Sequence, residues 1–275
     1  MDYLSPVIEA AKKAGVALAS YFHSGFTQQV TLKMDQTPVT QADVAANQII
    51  TEQLKQIDAN IPILSEENDI PDYSVRQQWT RYWLIDPLDG TRGFIKRSPE
   101  FCVNIALIEN HVPTLGVIYS PISQVCFFAI KNKGAFFIDP NDHVTHQMMT
   151  TKNKTALLRF LTGRFDQVLQ LQDRKRELEK HFGAVIMMQM NSALKFPQIA
   201  RGAADAYVRF GPTSEWDTAA GQCIVEEAGG AVVDFNGKPL QYNCKSSLIN
   251  PSFIAMGDMS QCGRYLVGIT SVASK

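Results

Sequence analysis

The sequence predicts a layered protein, with helices over a largely antiparallel sheet in its first half and alternating strands and helices in its second. Three observations point there. Two amphipathic segments lie near the N-terminus, short apolar runs broken by turn residues fill the middle, and strand-like and helix-like stretches alternate after about Met148. That last pattern is the mark of α/β architecture, and layers of helix and sheet stacked in alternation are expected.

From about Asp2 to Phe22, the residues Leu4, Ile8, Ala11, Gly15, Leu18 and Phe22 recur at spacings of three and four, which predicts a helix with one apolar face. A second helix should open at Thr40. Thr40 is a good N-cap with Asp43 three residues on, and Val44, Ile49, Ile50, Leu54 and Ile57 supply the apolar positions behind it. Short extended runs follow at 61–64, 82–85, 103–108, 114–119, 125–130 and 135–138, punctuated by Pro113, Pro121 and Gly134. The residues around Glu109 to His111 read as a hairpin, hence the antiparallel sheet. Beyond Met148, strands are expected at 157–161, 185–188 and 206–210, and helices at 167–181, 193–200 and 216–228. The change of texture places a boundary near 145–155, dividing the chain into 1–150 and 151–275.

Composition narrows the classes of function. The 275 residues are 45% hydrophobic and 19% charged, ordinary for a globular chain with a sizeable core. The formal net charge of −1, from 26 basic and 27 acidic side chains, offers no field that would recommend nucleic acid or an anionic membrane as partner. A small anionic substrate must be held by local devices. Five scattered cysteines (Cys102, Cys126, Cys223, Cys244, Cys262) form no CxxC pair, which argues against a disulfide framework or structural zinc and fits a reducing compartment. The N-terminus lacks the pattern of a signal peptide, and no apolar stretch is long enough to span a bilayer. The cytoplasm is the expected location, with attachment to the inner face of the membrane left open, as is the oligomeric state.

The most informative string is Trp83-Leu84-Ile85-Asp86-Pro87-Leu88-Asp89-Gly90-Thr91. An apolar strand is expected to end at Asp86, with Pro87 fixing a turn that presents Asp86 and Asp89 together. Paired carboxylates suit a hard cation, which prefers oxygen ligands. Gly90 permits close backbone approach, Thr91 can open a helix, and amides at a helix start suit a phosphate. A bare DxxD is common, and exposed aspartates mostly serve turns and caps. Two further acidic groups add weight. The run Ile61-Pro62-Ile63-Leu64-Ser65-Glu66-Glu67 delivers glutamates at a strand end, and Glu215-Trp216-Asp217-Thr218-Ala219-Ala220-Gly221 sets an aspartate at a helix start. The bland readings are a solvated loop for the first and an N-cap for the second. A capping aspartate, however, keeps a lone pair for a metal.

These three elements, in this order and spacing, resemble the signature of the inositol-monophosphatase superfamily. Further features resemble its bacterial branch of CysQ-type 3'(2'),5'-bisphosphate nucleotidases: Lys33 with the 37–43 segment, Phe94-Ile95-Lys96-Arg97, Leu194-Lys195-Phe196, Arg209-Phe210-Gly211-Pro212-Thr213 and Gly237-Lys238-Pro239-Leu240. The resemblance runs from about residue 5 to the segment around 250–254. It implies an α+β/α/β layered sandwich of five layers (αβαβα) and Mg2+, two or three ions, as cofactor. By position, Glu66, Asp86, Asp89 and Asp217 would ligate the metal with the carbonyl oxygen of Leu88, placing most ligands in the first half. Asp43 and Thr91 would orient and activate the attacking water, and the amides of Gly90 and Thr91 would hold the phosphate. Glu66, Leu88, Asp89 and Asp217 would thereby also meet substrate, and Ser192, Lys195 and Arg209 lie where this branch contacts the nucleotide.

The implied reaction is Mg2+-dependent removal of the 3'-phosphate of adenosine 3',5'-bisphosphate, with the sulfated analogue as a further candidate. The sequence agrees in what it omits: there is no GxSxG elbow, Walker A loop or HExxH pair, and His23, His111, His143, His146 and His181 have no matched ligand spacing. Two departures stand out. Many bacterial members carry lysine and glutamate after Asp-Gly-Thr, where this chain has Arg92-Gly93. Where relatives carry a histidine near the nucleobase, the simplest alignment puts Phe165, a ring that can stack but cannot hydrogen-bond. An inositol or sugar phosphatase with the same metal site is the rival enzyme. A metal-dependent sensor of the same nucleotide is the rival outside catalysis, disfavoured by the presence of both Asp43 and Thr91.

Overall fold

The computed structural model describes residues 3–24, 30–32, 38–151, 157–163 and 168–273. Lys33, Thr37 and Phe165 lie outside the described residues.

Helices α1 (Leu4–Ser24) and α2 (Gln41–Ile57) bracket two short paired strands, β1 (Val30–Leu32) and β2 (Pro38–Thr40). Then come β3 (Ile63–Ser65), the single turn α3 (Tyr73–Arg76), β4 (Arg81–Asp89) and α4 (Thr91–Ile95). The strands β5 (Cys102–Glu109), β6 (Val112–Tyr119), β7 (Cys126–Ile130), β8 (Gly134–Ile138) and β9 (Thr145–Met148) complete a sheet of order β3-β4-β5-β6-β7-β8-β9 among the described residues. Only the β3–β4 pair in it is parallel. The β5–β6 hairpin turns on Asn110 (φ +48°) and His111 (φ +68°), two successive left-handed residues as a tight hairpin requires.

The second half holds β10 (Leu158–Thr162), α5 (Val168–Phe182), β11 (Val185–Gln189), α6 (Lys195–Ala200), β12 (Ala206–Arg209), α7 (Ala219–Glu227), β13 (Ala231–Asp234), β14 (Phe253–Met256) and α8 (Cys262–Ala273). Its sheet runs β11-β10-β12-β14-β13, parallel around β10 and antiparallel around β14.

The period of two in each strand builds the layers, because successive side chains leave opposite faces of a sheet. Trp83, Ile85, Val103, Ile105 and Val117 share one core with Val7, Ala11 and Leu18 of α1 and Ala46, Ile50 and Leu54 of α2. Their neighbours Tyr82, Leu84, Ala106, Ile108 and Ile118 face the other way, onto Phe196 and Ile199 of α6 and Ala220, Cys223 and Ile224 of α7. That middle core also takes in Leu161, Tyr207, Val232 and Phe253, one face of the second sheet. Phe160, Ala206, Val233, Ile254 and Met256, on its opposite face, pack on α5 and α8 through Leu178, Phe182, Tyr265 and Ile269. The order is therefore helix, sheet, helix, sheet, helix, the five layers expected. The inner strands β4, β5 and β14 are buried on both faces, which is why they read as continuous apolar runs.

Gly116 marks a close backbone approach between β6 and α7. A Cβ there would lie 2.6 Å from the carbonyl oxygen of Ala220 and 3.0 Å from its Cα, so backbone rather than a flexible side chain would have to move. Gly116→Ala should lower stability by about 1–3 kcal/mol, the usual range for overpacking, measured by denaturant titration. An unchanged midpoint would show that α7 can slide away from β6 freely.

The structure amends the sequence reading in places. β4 does not stop at Asp86; it continues to Asp89 through a register shift, with Asp86 opposite Asn104 and Asp89 opposite Cys102. Three steps on β4 match two on β5, so the Asp-Pro-Leu-Asp string is a bulge. Pro87, which has no N–H to give a ladder, sits where the ladder is broken. The helix expected at 216–228 is split into a 3-10 turn, Glu215–Asp217, and α7. The five cysteines are free thiols, as expected. Among the described residues, no helix is long and apolar enough to cross a membrane.

Candidate active site

Thr40 and Asp43 form a reciprocal cap on α2. The Thr40 hydroxyl accepts the Ala42 amide at 3.2 Å, while Asp43 Oδ2 accepts the Thr40 amide at 2.7 Å and the Thr40 hydroxyl at 2.6 Å. Oδ1 of Asp43 lies 3.3 Å from the Thr91 hydroxyl, which is also 3.0 Å from the Leu88 carbonyl. A hydroxyl has one proton, so it donates to one of these at a time. Asp43 is buried, and burial pushes its carboxyl up to about 6; the Thr40 bonds oppose that rise, and the charge of Glu67 adds to it.

Glu66 leaves the end of β3. Its amide donates to the Ile85 carbonyl at 3.3 Å, extending the parallel pairing and setting it beside Asp86. Asp217 comes from the other half of the chain, where its Oδ2 accepts the Ser214 amide at 2.8 Å. Ligand atoms of Glu66, Asp86 and Asp217 all lie within 4.8 Å of one another. Burial holds the carboxyls of Asp86 and Asp217 well above the usual range, and the neighbouring acids raise them further: Glu66, Asp89, Asp217 and Asp43 for Asp86, Asp89 and Glu66 for Asp217. Mutual repulsion among buried carboxylates is relieved by a cation, and a donor set made only of oxygen fits a hard divalent ion. The cluster can hold such a metal.

Asp89 stands beside this group with its Oδ2 engaged. That oxygen accepts the Ala193 amide, Asn104 Nδ2 at 3.3 Å and the Cys102 thiol at 3.8 Å. Burial raises its carboxyl; the Lys195 ammonium and these hydrogen bonds pull it back. Gly90 has φ +97°, a left-handed conformation open to glycine, and a Cβ there would crowd the Glu100 carbonyl (3.2 Å) and Ser192 Cβ (3.3 Å). It caps α4, whose first residue is Thr91.

Lys195 is buried, its ammonium 3.2 Å from the Met190 carbonyl, 2.5 Å from the Ser192 carbonyl and over the Tyr207 ring. It braces the 190–192 turn while sending its charge toward Asp89. Arg209 donates to the Pro212 carbonyl at 3.2 Å, and its charge pulls against the rise at Asp217. A cleft of about 600 Å³ gathers Glu66, Asp86, Leu88, Asp89, Gly90, Thr91, Ser192, Lys195, Arg209 and Asp217; Asp43 lies beneath its floor. A larger cleft, about 1050 Å³, opens near Tyr3, Arg81 and Glu109, without an acidic cluster.

Residues the sequence did not flag also meet the cleft or brace it: Asn104 and Cys102 on Asp89, Ser214 on Asp217, and Asn191 at the rim. None stands in a string that would have singled it out. His146, one of the histidines without ligand spacing, is in β9, 2.8 Å from the Asp142 carboxylate and stacked on Phe137, with no contact to the acidic cluster among the described residues.

Residues 2–261 match the sequence pattern of the inositol monophosphatase family. The chain belongs to that family. Among its members, the CysQ 3'(2'),5'-bisphosphate nucleotidase of Salmonella typhimurium is 41% identical over 250 residues, 91% of this chain and 98% of that protein. The protein of the same name from Haemophilus influenzae is 38% identical over 258 residues, 94% of this chain and 93% of the relative. The crystal structure of CysQ from Bacteroides thetaiotaomicron superposes with a TM-score of 0.80 at 34% identity, covering 92% of this chain and 97% of that one. An inositol monophosphatase of Thermotoga maritima gives 0.81 at 26% identity, covering 100% and 99%.

Proposed function

We propose that this protein is a 3'(2'),5'-bisphosphate nucleotidase that hydrolyses the 3'-phosphate of adenosine 3',5'-bisphosphate to adenosine 5'-monophosphate and phosphate, with the sulfated analogue as a further candidate substrate. The observation that carries the proposal is the 41% identity over 91% of the chain to a nucleotidase of that name. The cleft supplies chemistry suited to it: the buried Asp86 and the half-buried Glu66 and Asp217, from both halves of the chain, have carboxylate oxygens within 4.8 Å of one another.

In this reading Glu66, Asp86, Asp89 and Asp217, with the Leu88 carbonyl, would hold two or three Mg2+ ions. The bound metal would neutralise phosphate charge and ease deprotonation of water. The Thr91 hydroxyl orients the attacking water, and Asp43 takes its proton through Thr91. A carboxyl raised to about 6 is better matched to that task near neutral pH than an exposed one. Water's oxygen bonds to phosphorus, the bond from phosphorus to the 3'-oxygen breaks, and that oxygen takes a proton from solvent, to which Asp43 later returns the one it received. The amides of Gly90 and Thr91 receive phosphate oxygens. Ser192 and Arg209 contact the nucleotide, and Lys195 adds positive charge to that wall from within.

Phosphate release from adenosine 3',5'-bisphosphate, inositol phosphate and fructose bisphosphate, with and without Mg2+, tests the proposal. The bisphosphate nucleotide should be turned over fastest, and only with metal; preference for either other substrate would overturn it. Lithium should inhibit by competing for the same oxygen ligands, and excess Mg2+ should slow product release. Turnover indifferent to lithium would count against this assignment of the metal site.

A further inference from the structure

Three hydrogen bonds hold Asn191 at the rim of the cleft. Its amide donates to the Glu100 carboxylate at 3.1 Å, its side-chain nitrogen reaches the Ser98 hydroxyl at 3.3 Å, and its carbonyl accepts the Ser192 hydroxyl at 2.8 Å. It is only 6% exposed, although it lines the cleft. Glu100 and Ser98 lie just beyond α4, so these bonds tie a turn of the second half to the segment that follows Thr91.

The side chain fits because position 93 has none. A Cβ on Gly93 would lie 2.8 Å from Asn191 Nδ2 and 3.6 Å from Ser98 Cβ, so the amide occupies the space that a side chain at 93 would enter. The two residues after Asn191 depend on its placement. Ser192 has φ +57°, a conformation that disfavours residues with a Cβ and persists only where the surroundings impose it. Its carbonyl accepts the Lys195 ammonium at 2.5 Å. The Ala193 amide donates to the Asp89 carboxylate.

We propose that Asn191 is a positioning residue for nucleotide binding: seated in the space left by Gly93, it clamps the 191–193 turn so that Ser192 faces the cleft and the Ala193 amide stays on Asp89. The kinetic side of this inference rests on the nucleotidase reading; the structural side does not. Gly93→Ala displaces the amide without touching a proposed ligand, and Asn191→Ala removes it.

Both variants, and the pair together, are compared with wild type in the full chain. Amide hydrogen exchange across 190–194 should speed up by about tenfold in each single variant, as local opening becomes easier, with exchange in β5 and β6 unchanged. The double variant should exchange no faster than either single one, because both remove the same clamp. With adenosine 3',5'-bisphosphate, KM should rise about tenfold and kcat change less than about twofold, a loss of binding shared by ground and transition states. Unchanged exchange in Gly93→Ala, additive effects of the two substitutions, or a fall in kcat at constant KM would each overturn the clamp. Should Asn191→Ala fail to fold, Asn191→Asp keeps the volume, sets a second carboxylate beside Glu100, and is read by the same two quantities. If wild type does not hydrolyse the nucleotide, the functional reading falls, while the exchange comparison still decides the clamp.

Discussion

Replacing Asp86 by asparagine should abolish phosphate release, by about a thousandfold or more, yet leave the metal-free protein as stable as wild type or more stable. The substitution keeps the shape, and its carbonyl oxygen can still accept the Leu88 amide that Asp86 Oδ1 accepts at 3.0 Å. What it removes is a buried charge. Burial, then Glu66, Asp89, Asp217 and Asp43, raise the Asp86 carboxyl well above its ordinary value. A carboxyl whose pKa is raised by folding contributes stability in its protonated form. That contribution is full below the unfolded-state pKa and is lost as pH rises through the folded one. In chelator the wild type should therefore weaken, relative to Asp86→Asn, as pH is raised from the acid side through that range. Added Mg2+ should raise the Tm of wild type by mass action on the folded state and leave that of Asp86→Asn nearly where it was. Asp89→Asn should lose activity as well. Its Oδ2, however, serves three donors, the Ala193 amide, Asn104 and Cys102, so its metal-free stability should gain less. A large loss of metal-free stability in Asp86→Asn would show that the cluster is there to hold the fold together.

The layers and much of the acidic site were legible because they rest on local signals. Thr40 and Asp43 announced a capping box, and the structure forms it. Alternating faces on β4 and β5 produced continuous apolar runs, and the hairpin at 109–112 closes where it was expected. What could not be read depends on residues far apart in sequence. Asp89 accepts an amide from Ala193, 104 positions away, and nothing local to either residue predicts that bond. The second sheet was less legible than the first. β13 and β14, four residues each, are too short to display a period, and pairing β14 between β12 and β13 makes the sheet mixed. β9 and α8 escaped for related reasons: β9 is mostly polar, and α8 carries Gly263 and Gly268, which weaken a helical reading. The bulge in β4 was taken for a turn because Pro87 signals a break in the ladder without saying which kind.

Thr91→Ala should lower kcat by about 100-fold or more while changing KM little. The Thr91 hydroxyl has Asp43 Oδ1 at 3.3 Å on one side and the Leu88 carbonyl at 3.0 Å on the other, and one proton to share between them. The Leu88 carbonyl would serve as a ligand when metal is bound, and the Thr91 hydroxyl donates to Asp43 and accepts from the water that attacks. Alanine breaks that relay. It leaves in place the backbone amides that receive phosphate and every carboxylate of the cluster, so substrate affinity should survive. Stability should fall by only about 1 kcal/mol: Gly90 caps α4 and Thr91 is its first residue, so no capping bond is lost, but the buried Asp43 loses one hydrogen-bond donor. Thr91→Ser separates the hydroxyl from the methyl group: it should recover most of kcat if the relay is the cause. Asp43→Asn, which cannot take a proton, should match Thr91→Ala in kcat, and the double variant should be little worse than either, since both disable one device. Steady-state kinetics with the bisphosphate nucleotide decide the matter. If Thr91→Ala kept a near-normal kcat and raised KM instead, Thr91 would be a substrate-binding residue, and the water would need another base.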